Sequence, residues 1–218
     1  MRPETGDRRP ETTGRELVFT FHGIHNGQDT FGDIYRDWLV RHSTEFHCVE
    51  INYGRITGTQ MYGAKLWPWC MSERRTRAAL RMSDAWASHG APTRHAIAHS
   101  YGTQFITDLL WQHPYIKLDG LILVGSVLEE RFHSTRLPRL IVRGQITRIL
   151  NVWSRNDSVI RHWSRGPYGT AGSTGFIDLT GQEPVWQNET EEEHGTYFWS
   201  EFRNEHFTRW TQWLGGES

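Results

Sequence analysis

Residues 94–110 read RHAIAHSYGTQFITDLL, and their pattern sets what the rest of the chain has to be. A short apolar run, His95–Ala98, leads into Ala98-His99-Ser100-Tyr101-Gly102, and apolar residues then recur at helical spacing through Gly102–Trp111. A strand that turns into a helix within a few residues brings backbone segments close together. The positions two before and two after the corner must therefore be small, and Ala98 and Gly102 meet that demand. Ser100 sits at the corner, its hydroxyl lifted out of the sheet. The helix that follows aims backbone N–H groups and a partial positive charge at any anion forming there. A second reading makes Ser100 the N-cap of the helix, a common use of serine, but a cap does not need small residues on both sides.

Outward from this stretch the chain alternates in type. Strand-like runs fall at Leu17–Phe21, Phe46–Ile51, His95–Ala98, Leu121–Val124, Ile149–Trp153 and Gly175–Leu179. Helical spacing appears at Asp33–Arg41, Glu73–Ser88, Gly102–Trp111 and Tyr197–Leu214. Strands separated by helices imply crossover connections, and so a mostly parallel α/β sheet with helices on both faces. Two segments break the rhythm: Gly54–Ser72, Gly-rich and aromatic, a candidate lid or pocket wall, and Arg131–Gly144, with Pro138 inside it. Both follow strands, where open α/β sheets carry ligand-binding loops.

With these features the chain resembles the α/β-hydrolase superfamily, as a small serine esterase or lipase-like member, from Leu17 to Leu214. The resemblance makes 98–102 a nucleophile elbow, with Ser100 the nucleophile. It makes His22-Gly23-Ile24, after the first strand, the oxyanion loop, so that the backbone N–H groups of Ile24 and Tyr101 would hold the tetrahedral oxyanion. Family order along the chain is serine, acid, histidine. Asp157, in the polar turn Ser154-Arg155-Asn156-Asp157 after a strand, is then the orienting carboxylate, with a turn-and-cap use of Asp as the other reading. His194, in EEEHGTYFW before the final helix, is the general base, and His206 is the second choice. Asp178 competes for the acid, but inside Gly175–Leu179 it reads as a salt-bridged or exposed strand carboxylate. The acidic run Glu191-Glu192-Glu193 could raise the basicity of His194. A competing metal reading of His22, His25 and His99 finds no acid at a matching spacing, so no metal is assigned and His22 becomes a supporting group for the loop.

Composition narrows the function classes. Hydrophobic residues are 37% and charged residues 22% of 218, and no apolar run approaches the roughly 20 residues of a membrane helix. A formal net charge of −1 provides no global field for nucleic acid. Arg74, Arg75, Arg77 and Arg81 make a local basic stretch that reads as the solvated face of a helix. Residues 1–14 read as a flexible leader without a secretory apolar region, leaving 15–218 as one domain. Cys48 and Cys70 form no disulfide framework or metal knuckle, which favours a cytoplasmic setting. Most of the 11 tryptophans are expected in the core, while Trp67, Trp69 and Met71 could line an apolar acyl pocket. The expected activity is hydrolysis of a small ester or lipid-like molecule through an acyl-enzyme, with no cofactor required. A catalytically dead binding module, or a peptide or thioester hydrolase on the same scaffold, is the alternative.

Overall fold

A computed structural model describes residues 15–23, 31–54, 57, 59–60, 63, 71–163, 168–196 and 200–216. Six strands form its sheet: β1 (Glu16–Phe21), β2 (Phe46–Glu50), β3 (Arg94–His99), β4 (Leu118–Val124), β5 (Ile146–Trp153) and β6 (Val185–Glu189). The order is β2-β1-β3-β4-β5-β6, and every neighbouring pair is parallel.

Period-two alternation decides which face each strand residue serves. Leu17, Phe19, Phe21, Ala96, Ala98, Leu121 and Leu123 point into one buried cluster. There they meet α2 (Ser72–His89), α3 (Tyr101–Gln112) and α4 (Leu137–Val142). Val18, Ile97, Ile122, Val124, Leu150 and Val152 point the other way, against Tyr35, Trp38 and Leu39 of α1 (Phe31–His42) and Phe207, Trp210 and Trp213 of α7 (Ser200–Gly215). Three of the tryptophans thus fill the second core. Because α1 and α7 share that face, polar tips seal their seam: Trp38 Nε1 donates to Asn204 at 3.0 Å, and the Tyr35 and Thr211 hydroxyls lie 2.9 Å apart.

The parallel register levels the carboxyl ends of the strands. Phe21 lies opposite Ala98, His99 opposite Val124, Val124 opposite Val152, and Trp153 opposite Glu189. The chain leaves β1 toward β2 on one side and then returns to place β3 on the other. The crevice between β1 and β3 is therefore a topological switch point, the place where such sheets bind ligands.

Three expectations are corrected. Gly175–Leu179 is not a strand, and the sixth strand is Val185–Glu189. The backbone of Phe176 bonds in both directions to the Gln187 side chain, at 2.5 and 2.9 Å, instead of joining a ladder, and Ile177 is 61% exposed. Arg131–Gly144 is not irregular: it holds a 3-10 turn at Phe132–Ser134 and then α4, with Pro138 in the first helical turn, where its missing N–H has no intrahelical partner to lose. Arg75 does not belong to a solvated face, being fully buried with Nη1 3.0 Å from Asp108 Oδ2. Two further short helices, α5 (Ser158–Trp163) and α6 (Ala171–Thr174), follow β5. Among the described residues no helix is long and apolar enough to cross a membrane.

Candidate active site

Ser100 has φ 54° and ψ −126°, and among the described residues it is the only non-glycine with positive φ. Such a conformation costs on the order of 1–3 kcal/mol and persists only where the surroundings impose it. Here the Ser100 N–H donates to Val124 O at 2.9 Å, while its carbonyl accepts from the Thr103 N–H and hydroxyl at 3.0 and 2.7 Å. The side chain makes no cap bond to α3, so the N-cap reading is not realised. Gly102 is dictated by space: a Cβ there would stand 2.6 Å from Phe21 O and 2.7 Å from His22 O. Gly23 is nearly as confined, since a Cβ would lie 3.0 Å from Ser100 Cβ and 3.3 Å from its Oγ. The end of β1 therefore lies directly against the serine.

Asp157 follows β5 and is completely buried. Its Oδ1 accepts the Ile160 N–H at 2.8 Å, which caps α5, and its Oδ2 lies 2.8 Å from His194 Nδ1. A carboxylate can only accept, so Nδ1 carries the hydrogen and the Nε2 lone pair is left for proton transfer. His194 sits in a turn after β6 that is fastened to the acid loop: Asn156 Nδ2 donates to Glu191 O at 2.9 Å, and the Thr190 N–H donates to Trp153 O at 2.8 Å.

Beside the serine, His99 closes the cluster. Its Nε2–H donates to the backbone carbonyl of His194 at 2.9 Å, and the two imidazole rings lie 4.8 Å apart. Burial, aided by the neighbouring His194, pushes the His99 pKa down to about 3, so this ring stays neutral and its Nε2–H remains a donor. On the far side Gly125, at φ 52°, forms the floor: a Cβ would come 3.1 Å from His194 Nδ1 and 3.3 Å from Asp157 Oδ2. The sequence reading weighed His99 only as a metal ligand and passed over Gly125. Gly125 had a signal, a glycine at the end of an apolar strand, whereas His99 had none beyond adjacency to Ser100.

The remaining candidates divide. Tyr101 is buried at the first position of α3, while Ile24, Trp67 and Trp69 lie outside the described residues. So do His25 and most of Gly54–Ser72. Met71 is 3% exposed and belongs to the core cluster under α2 and α3. His22 supports the loop: Nδ1 meets Gly23 O at 2.6 Å, the ring stacks on Tyr53 at 4.2 Å, and its carbonyl accepts the Tyr53 hydroxyl. Burial lowers its pKa. His206 lies on α7 with Nε2 3.6 Å from Glu192 Oε1, and Glu192 also accepts from the Thr196 hydroxyl. That carboxylate is therefore spent on the turn and on α7. Asp178 lies in a loop and not in a strand, where it accepts the N–H groups of Phe132 and His133 at 2.5 and 3.3 Å. Among the described residues no group of three His, Cys, Asp or Glu side chains could hold a metal ion. Behind the elbow, a cavity of about 230 Å³ has mostly polar walls, among them Tyr101, Gln104, Arg136 and Tyr168.

No protein-family model matches the sequence, and no curated protein matches it. Solved structures do match. A "predicted CIB-like hydrolase" from Thermoplasma acidophilum superposes with TM-score 0.52 at 17% identity, over 92% of this chain and 86% of that one. A metagenome-derived lipolytic enzyme superposes with TM-score 0.56 at 12% identity, over 93% and 94%. The Pyrococcus furiosus esterase Pf2001 does so with TM-score 0.56 at 11% identity, over 94% and 84%. Sheet order, parallel register and these likenesses agree: the chain has an α/β-hydrolase fold.

Proposed function

We propose that the chain is a serine hydrolase cleaving an ester-like bond through an acyl-enzyme, with Ser100 as nucleophile, His194 as general base and Asp157 as orienting acid. The observation that carries this reading is the hydrogen bond from His194 to the fully buried Asp157, with a strained serine at a strand-to-helix corner on the neighbouring strand end. His194 Nε2 takes the Ser100 proton as Oγ bonds to the substrate carbonyl carbon. The oxyanion is held by the Tyr101 N–H and by an N–H from the loop after β1, assigned to Ile24. Collapse breaks the ester C–O bond, and the leaving alcohol takes the proton from His194. Water then gives its proton to His194, attacks the acyl carbon and releases the acid as the proton returns to Ser100. Asp157 keeps the tautomer correct and stabilises the imidazolium formed between these transfers.

The esterase and lipolytic neighbours suggest the bond class. Labelling with a fluorophosphonate probe tests the assignment. The wild type should label, Ser100→Ala should lose both label and turnover while its fold stays intact, and labelling of that variant at full strength would sink the nucleophile. A panel of ester, thioester and amide substrates then ranks the chemistries, and an unlabelled wild type would make the chain a binding module.

A further inference from the structure

Arg74, Arg77 and Arg81 recur at intervals of three and four along α2, which sets them on one side of the helix. With Asn52, Tyr53 and Gly54, just past the end of β2, they line a cavity of about 490 Å³, and among its described walls there is no carboxylate. Arg74 Nη1 donates to Tyr53 O and Arg81 Nη1 to Asn52 O, each at 3.3 Å. Gly54, at φ 83°, lies close under Arg74, for a Cβ there would stand 3.6 Å from its Nη1. Arg77 meets Glu73 at 3.2 Å, but that pair is largely exposed, so water screens it and a ligand can exchange for it. Three positive forks around one hollow suit an oxyanion such as a carboxylate or phosphate, which a planar guanidinium binds by two parallel N–H bonds.

The cavity lies at the same edge of the sheet as Ser100. Tyr53 forms one of its walls and stacks by its ring on His22, whose neighbour Gly23 packs on the serine. Tyr53 and His22 thus link the wall of the cationic hollow to the backbone that packs on Ser100. We propose that this arginine cavity binds the anionic group of the substrate, so that the preferred ester carries a carboxylate or phosphate some distance from the scissile bond. This specificity rests on the hydrolase reading above; the anion site itself does not.

The test is a series of 4-nitrophenyl monoesters of C5 to C10 dicarboxylic acids, each beside its methyl-ended isostere. At low salt, the acid-ended ester of at least one length should exceed its isostere in kcat/KM by about tenfold, the scale of one charge-assisted contact, and added salt should erode the advantage. The ratio should fall toward one in R77Q/R81Q and largely persist in R77K/R81K. Calorimetric titration of the unmodified protein with suberate and with inorganic phosphate reads the site without catalysis. At least one should bind, and its heat should vanish in R77Q/R81Q. A ratio at or below one at every length, or one unmoved in R77Q/R81Q, overturns the substrate assignment. Absence of binding by both anions overturns the site and makes the arginines a solvated basic face. If suberate or phosphate binds but no ester turns over and the fluorophosphonate probe does not label, the hydrolase reading falls while the anion site stands.

Discussion

At Asp157 the two oxygens have separate partners, so a turn-and-cap use does not compete with the proposed orienting one: Oδ1 caps α5 and Oδ2 lies 2.8 Å from His194 Nδ1. Asp157→Asn keeps the shape but can offer the imidazole an N–H in place of an acceptor, so turnover should fall by roughly 10⁴-fold, as when a triad carboxylate becomes an amide. Asp178→Asn should change turnover far less, because its oxygens serve the 3-10 turn at Phe132–Ser134. Steady-state kinetics on both folded variants decide the matter, and the reverse ranking would move the acid. His99 gives a second expectation at this scale. His99→Phe removes the donor that holds the His194 carbonyl and should lower kcat about tenfold at nearly unchanged KM. His99→Gln can still donate and should recover most of the loss; equal damage from both would make His99 a packing residue only. The Asp157–His194 pairing was legible because strand ends and chain order bring those two turns together. His99 was not, since its role depends on a turn 95 residues away.

Among the elements, five strands were readable because their apolar residues alternate between two covered faces. β6 was not, because an edge strand with one neighbour and the sequence VWQNE is half exposed and carries no alternating signal. The segment Gly175–Leu179 misled for the complementary reason: Phe176 is buried by packing while its backbone is satisfied by a side chain. Periodicity places the arginines of α2 on the helix but cannot reveal that Asp108, on α3, waits opposite Arg75. That clamp also engages Gln112 at 3.0 Å and brings in Arg136, a second partner of Asp108. Arg75→Leu should therefore destabilise the fold by about 3 kcal/mol, since it strips a buried carboxylate of its buried partner. Urea unfolding measures it, and a change below about 1 kcal/mol would mean that Arg136 alone satisfies Asp108.

For the whole molecule, buried imidazoles set the acid side of stability. Burial lowers the pKa of His22, His95, His99 and His206 below the ordinary 6.5. The unfolded chain takes up those protons near pH 6.5, whereas the native state resists, for His99 down to about 3. The unfolded state therefore binds more protons across this window, and stability must fall as pH drops through it. Urea midpoints recorded from pH 7 to pH 4 should decline, and His99→Phe should decline less steeply; parallel slopes would show that His99 adds nothing to the acid sensitivity.

The levelled strand ends have a practical side as well. The turn at 113–117 enters β4 at the end of the sheet opposite the edge that bears Ser100, and Lys117 stands exposed in it. The chain has just one other lysine, Lys65, outside the described residues. Amine-directed coupling through Lys117 would anchor the protein to a support by its back, with the edge that bears Ser100 turned to the solution.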